Sequence, residues 1–254
     1  MQTTKNLKLS RLHPRPERRG FSLLEDKKIM GINEFYSSTQ LSVLSVTGDD
    51  AASFLQGQTT CDMNNIGEKE SRLGGFCNPK GRVISTFILL KSDNGFLVVL
   101  PKSLLQTIQE RLQRYKLRAK VEITETDLPE FDAPKNMPWL CPETSEEFIP
   151  QWLNLDLLNG ISFTKGCYTG QEIVARTHYL GEVKRRLFLA RGEIEMNNDV
   201  APNCSIINEL GATVGNVLNV EKDLLQCVLN LEAANSILRL DKSFQEIEIF
   251  TDIL

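Results

Sequence analysis

The sequence predicts an α+β protein. A ferredoxin-like split βαβ unit comes first, then a Pro-rich connector, then a small antiparallel β-barrel. Three observations predict this. Strand-like and helix-like runs follow the order βα-βββ-αβ as far as residue 125, the order of a split βαβ unit. Five prolines (129, 134, 138, 142, 150) then break up residues 126–150. From Lys184 onward, short apolar runs alternate with turns, the spacing of a small barrel or sandwich.

Each element has a local reason. Residues 41–47 (LSVLSVT) alternate imperfectly and read as a strand. Gly48 follows, and Asp49 or Asp50 is placed to N-cap a helix carrying Ala51, Ala52, Phe54 and Leu55. Residues 70–77 read as a strand, and Asn78-Pro79-Lys80-Gly81 as a turn. Residues 82–91 and 95–100 are two strands joined at Asp93-Asn94-Gly95, a hairpin signal. Ser103 is expected to cap a helix whose apolar stripe is Leu104, Leu105, Ile108, Leu112 and Tyr115. A strand at 119–125 closes the unit. After the Pro-rich connector, a helix is expected at 152–158, ended by Asn159-Gly160. The barrel strands are expected at 184–191, 204–208, 212–220, 224–231 and 246–250, with turns at Asn197-Asn198-Asp199 and Leu210-Gly211.

Composition excludes several functions. The 254 residues suit one large domain or two small ones at ~150 residues each. Two histidines (His13, His178) and six scattered cysteines without a C-x-x-C exclude a His-rich metal centre and a zinc ribbon. A disulfide scaffold does not suit so large and Cys-poor a chain. No apolar run reaches the ~18–20 residues of a membrane span, and no apolar h-region marks a secretory signal. The expectation is a cytoplasmic protein with free thiols and no membrane partner. No G-x-x-x-x-G-K-[ST] run supports nucleotide hydrolysis.

Charge is uneven. Residues 1–30 hold eight Lys/Arg against three acids, a local +5 that leaves −9 for the rest of the −4 total. The basic start, with Pro14 and Pro16, reads as a flexible arm. It is a disordered leader or sequence upstream of a start at Met30; an RNA-contacting arm and an organelle-targeting segment are the alternatives. The acidic remainder argues against coating DNA or RNA.

Residues 165–172 (KGCYTGQE) carry the most chemistry. Thr169 and Glu172 have capping-box spacing ahead of a helix running through IVARTHYLG. Gly166 and Gly170 permit φ > 0 or a close backbone approach. Cys167 then precedes a helix start and lies two residues from Lys165, both of which favour a thiolate. The alternative is one more buried, inert cysteine.

The run at 148–187, FIPQWLNLDLLNGISFTKGCYTGQEIVARTHYLGEVKRRL, resembles the signature of the YgfZ family. That family comprises folate-binding proteins related to the T-protein, the aminomethyltransferase of the glycine cleavage system. DDAASFLQGQTTCDM at 49–63 and FCNPKGRVISTFILL at 76–90 match in the same order. The resemblance implies a T-protein-like fold with a tetrahydrofolate cavity. It also implies support for the maturation or repair of iron–sulfur enzymes, including some that thiolate tRNA. Cys167 matches the family's functionally important cysteine. Lys165, Gly166, Tyr168, Gly170, Gln171 and Glu172 match the rest of that motif. Gln56, Gly57 and Gln58 match the upstream motif, and Lys80, Gly81 and Arg82 the third.

Implied partners are folate and iron–sulfur carrier or client proteins; direct tRNA contact stays open. One cysteine cannot hold a cluster, so any cluster is shared with a partner or another subunit. For folate, Trp139, Trp152, Phe163 and Tyr168 are candidate faces. Arg82, Arg176 and Lys184-Arg185-Arg186 are candidate cations, with Gln171 and Glu172 beside them. Core packing is the alternative for each Trp, a solvated strand edge for 184–186, and a helix-surface position for His178. Three departures stand out. Ser85-Thr86 replace the aspartate pair of aminomethyltransferases, so ordinary aminomethyl transfer is not expected. Leu41 occupies the place of the family's other stacking Trp, and the Pro-rich connector replaces a longer middle region.

Overall fold

The first half is a five-stranded sheet built around strand β1 (Leu41–Thr47). The computed structural model describes residues 38–64, 66–67, 70–127, 137–192 and 200–250. The basic arm 1–30, Pro129, Pro134 and the turn Asn197-Asn198-Asp199 lie outside these residues. After β1 come helix α1 (Ala51–Gln56) and strands β2 (Ser71–Cys77), β3 (Val83–Ser92) and β4 (Gly95–Pro101). Helix α2 (Leu105–Lys116) and strand β5 (Glu122–Thr126) complete the unit. The sheet order is β2-β3-β4-β1-β5.

Within the α+β class, β1 sits between β4 and β5, as a split unit requires. Three strands rather than two separate the helices, so β4 runs opposite to β1. Every neighbouring pair of this sheet is antiparallel, in place of a ferredoxin-like parallel central pair. The imperfect alternation of β1 also has a cause, because both faces are covered. Leu44 and Val46 pack with Phe54, Leu55, Ile108 and Leu112 from the two helices. Leu41 and Val43 pack on the other side with Met137 and Trp139.

Two expected caps are replaced. Asp50 stands at the N-cap of α1, but its carboxylate accepts the Lys120 backbone N–H at 2.8 Å. Ser103 lies inside a short 3-10 turn, Lys102–Leu104, and α2 begins after Leu104. The hairpin at Asp93–Gly95 forms as expected, with Ser92 opposite Gly95.

The helix expected at 152–158 is not formed. The chain makes a 3-10 turn at Pro150–Leu153, and Asn154 then takes the left-handed region (φ 59°). The Asn154 amide donates to Leu187 O at 2.9 Å. A buried polar side chain with a tertiary partner therefore overrides helix propensity here. Helix α3 (Gln171–Tyr179) follows.

The second half is a closed barrel, so the sandwich alternative falls away. Its strands are β6 (Arg185–Gly192), β7 (Ser205–Asn208), β8 (Thr213–Glu221), β9 (Leu224–Asn230), β10 (Leu238–Leu240) and β11 (Glu246–Phe250). They close in the order β10-β11-β6-β9-β8-β7. The sequence reading missed β10, whose three residues are too few for a period to show. Arg186 of β6 clasps Asp156 bidentately at 2.6 and 2.9 Å and donates to Gln151 O, tying the barrel to the 150–158 turn.

Candidate functional site

Three loops distant in sequence meet at one surface. The first leaves α1 at Gln56. The second is the β2–β3 turn at Asn78–Gly81. The third is the 165–170 segment entering α3. Gln56 shapes the first loop: its amide donates to Asp62 Oδ1 at 3.0 Å and accepts the Met63 N–H at 2.8 Å. Thr60 is buried and ties this loop to β2 and to Gly160, accepting from Gly75 N at 2.9 Å and donating to Gly160 O at 2.6 Å. Gly57 O accepts the Thr169 N–H, joining the first and third loops. Gln58 buries its side-chain oxygen beside them with no hydrogen-bond partner among the described residues.

In the second loop, Asn78 Oδ1 accepts the N–H groups of Lys80 (2.9 Å) and Arg82 (3.0 Å). Gly81 turns there with φ 70°. The third loop packs directly on it. A Cβ on Gly170 (φ 83°) would lie 2.5 Å from Asn78 O, closer than any side chain tolerates. Gly166 differs, with nothing within 4 Å of its Cβ position. Gly170, not Thr169, is the N-cap of α3. The expected capping box is not made; Gln171 instead turns back to accept the Tyr168 N–H.

Lys165 is the clamp of the assembly. Its ammonium donates to Thr59 O and Cys61 O, both at 2.7 Å, and lies 5.1 Å over the Tyr168 ring. Burial pulls it down to about 8, opposed by the nearby Asp62 carboxylate. The ammonium expected to face Cys167 is therefore engaged by the first loop. The helix start is also more distant than expected, since α3 begins at Gln171.

Cys167 itself is exposed, whereas Cys61, Cys77, Cys141 and Cys227 are buried and Cys204 is half-buried. Burial raises the thiols of all four buried cysteines, that of Cys77 to about 12, which keeps them protonated. Cys167 opens onto a shallow depression of about 520 Å³, shared with Pro79, Tyr168, Gln171, Glu172 and Ala175. Tyr168 forms its buried floor. The arrangement presents one accessible thiol on a rigid base, suited to nucleophilic attack or to soft-metal ligation.

The other candidates do not converge there. Arg176 lines a second, smaller depression with Ile173 and Leu180. Arg82 donates to Glu147 O, and its guanidinium sits 5.1 Å over Trp152. Arg185 covers the same ring at 5.0 Å and donates to Asn230 Oδ1. With Arg186 on Asp156, the 184–186 cluster is largely structural; Lys184 is exposed. His178 is on the helix surface as expected, its ring stacked on Phe163 at 3.7 Å. Lys80 is exposed.

Of the candidate folate faces, Trp139 takes its alternative, a place in the core. Trp139 is only 2 % exposed and packs with Leu41, Val43, Ile88 and Val99. Ser85 and Thr86 are fully buried, and Thr86 donates to Pro138 O at 2.7 Å. Of the candidate folate contacts, Trp139 is thus enclosed in the core, Tyr168, Gln171 and Glu172 line the depression at Cys167, and Arg82 and Arg176 lie apart from both. Sequence reasoning missed two buried partners, Asn219 and Gln226, whose amides hold the segment of Trp139. Polar residues inside the apolar runs VLNV and LLQCVL were their signal. No group of three or more metal-type ligands occurs among the described residues. No helix among them is long and apolar enough to cross a membrane.

No protein-family model matches the chain. It is 30% identical to the tRNA-modifying protein YgfZ of Hamiltonella defensa over 227 residues, 59% of this chain and 68% of that one. It is 29% identical to an uncharacterized protein of Haemophilus influenzae, covering 78% of this chain and 90% of that one. Among solved structures it superposes on the glycine cleavage system aminomethyltransferase T from Bartonella henselae with a TM-score of 0.65. That alignment has 10% identity and covers 84% of this chain and 83% of that one. At this identity the likeness is one of fold.

Proposed function

The chain belongs to the YgfZ family of tRNA-modifying proteins, and from that premise we propose that it is a cytoplasmic accessory protein acting through Cys167. It supports the assembly or repair of iron–sulfur enzymes, those that thiolate tRNA among them. The carrying observation is that three motif loops lock together beneath Cys167 and leave its thiol exposed, while the four deepest cysteines are sealed in the core.

Cys167 engages an iron–sulfur carrier or client protein. A single soft thiolate fits one ligand position of a cluster, and the partner supplies the others. The cluster is cargo, and no step of this reading requires the chain to retain it. Contact with tRNA is made by the client enzyme, in keeping with the chain's acidic body. Aminomethyl transfer is not proposed, because the buried hydroxyls at Ser85 and Thr86 bond within the protein and supply no carboxylate.

The test is complementation. In cells lacking their own family member, a Cys167→Ala chain of wild-type abundance and melting temperature fails to restore a dependent iron–sulfur enzyme. Full restoration by that variant overturns the role.

A further inference from the structure

Between the sheet and the barrel, three consecutive backbone carbonyls are each taken by a buried polar side chain. Met137 O accepts from Gln226 Nε2 at 3.0 Å, Pro138 O from Thr86 Oγ1 at 2.7 Å, and Trp139 O from Asn219 Nδ2. Gln226 and Thr86 are fully buried, and Asn219 is 4 % exposed. Asn219 and Gln226 also bond to each other at 2.9 Å, where the β8 register shifts between Val217 and Asn219. The two amides therefore present a paired donor set to this one tripeptide. The indole of Trp139 supplies the apolar part and packs among Leu41, Val43, Ile88, Val99 and Met137.

Buried polar side chains of this kind cost free energy unless satisfied. Here they answer a planar apolar group flanked by carbonyls, the pattern a protein uses for a flat heteroaromatic ligand. The two positions that the resemblance associates with stacking on folate, Leu41 and Trp139, pack together in this enclosure. We propose that the Met137–Trp139 tripeptide is the permanent internal occupant of this enclosure. It is bound there as a ligand would be, and it closes the space to tetrahydrofolate.

The experiment is hydrogen exchange on the full wild-type chain with and without tetrahydrofolate, alongside calorimetric titration to about 1 mM ligand, the scale of the weakest specific binding. The amides of Trp139 and Cys141, bonded to Met137 O and Thr144 Oγ1, are expected to exchange as slowly as those of β3 and β4. Tetrahydrofolate leaves their protection unchanged. Saturable heat without loss of that protection puts the ligand elsewhere and keeps the tripeptide in place. Saturable binding that releases protection at 137–141 overturns the proposal, as does fast exchange of these amides in the free chain. A Thr86→Val chain, which keeps the side-chain volume and loses the donor, is expected to exchange faster at 139–141 while β3 and β4 stay protected. Unchanged exchange there counts against Thr86 as a holding group.

Discussion

Gly81 and Gly170 meet backbone to backbone: a Cβ on Gly170 would lie 3.0 Å from the Gly81 Cα, and one on Gly81 3.2 Å from the Gly170 carbonyl oxygen. Both have positive φ, 70° and 83°. Neither conformation nor space admits a side chain, so the turn after β2 and the entry to α3 are pressed into one layer under Cys167.

Substituting either glycine should therefore cost more than a surface change. Gly170→Ala adds about 1–3 kcal/mol of backbone strain to the contact with Asn78 O. Gly166→Ala, with open space around it, should stay within about 0.5 kcal/mol of wild type. Urea denaturation of the two variants checks the contrast. Equal loss at both positions would contradict the packing described.

Lys165 gives a pH dependence with a defined sign. Its folded value of about 8 lies below the ordinary 10.5. Between those values the unfolded chain binds the extra proton, so the contribution of Lys165 to stability rises with pH. It is complete above 10.5 and lost as pH falls through about 8. The neutral amine still has N–H donors for the Thr59 and Cys61 carbonyls. The stability of wild type minus that of Lys165→Met should thus climb across this window in urea titrations. A flat or falling difference would contradict the burial.

Asp156 and Arg186 form a mostly buried bidentate pair, their side chains 12% and 17% exposed. Asp156→Ala leaves the guanidinium without its carboxylate and should cost about 3–5 kcal/mol. The thermal midpoint reads the loss. A change no larger than that of an exposed ion pair would show the clasp to be inert.

Alkylation of the native chain separates the cysteines. Iodoacetamide should modify Cys167 first and Cys204 more slowly. Cys61, Cys77, Cys141 and Cys227 should react only through opening of the core. Peptide mass spectrometry gives the order; early modification of a buried cysteine would contradict its placement.

Most of the sheet and barrel was legible because alternation and turn chemistry are local. Strand β1 was readable at LSVLSVT, and the hairpin at Asp93-Asn94-Gly95. The errors came where a distant partner decided the matter. Asn154 bonds to Leu187 and ends a turn that propensity alone would have made a helix. Asp50 bonds to Lys120 instead of capping. Three residues at Leu238–Leu240 are too few to show a period. At the site, the motif spacing picked out Cys167 but gave Lys165 the wrong neighbour. Its ammonium bonds to carbonyls more than a hundred positions upstream. For Trp139 the residues alone left a ligand face and core packing both open, and the core is where it lies, because its enclosing residues, Leu41, Asn219 and Gln226, belong to separate elements.

The role of Cys167 is read out by the level of thiolated nucleosides in bulk tRNA, measured by mass spectrometry, in cells lacking their own family member. Wild type and Cys204→Ser should restore the thiolated nucleosides, while Cys167→Ser, equally abundant and equally stable, should leave them at the level of the empty vector. Restoration by Cys167→Ser to the wild-type level would contradict the account.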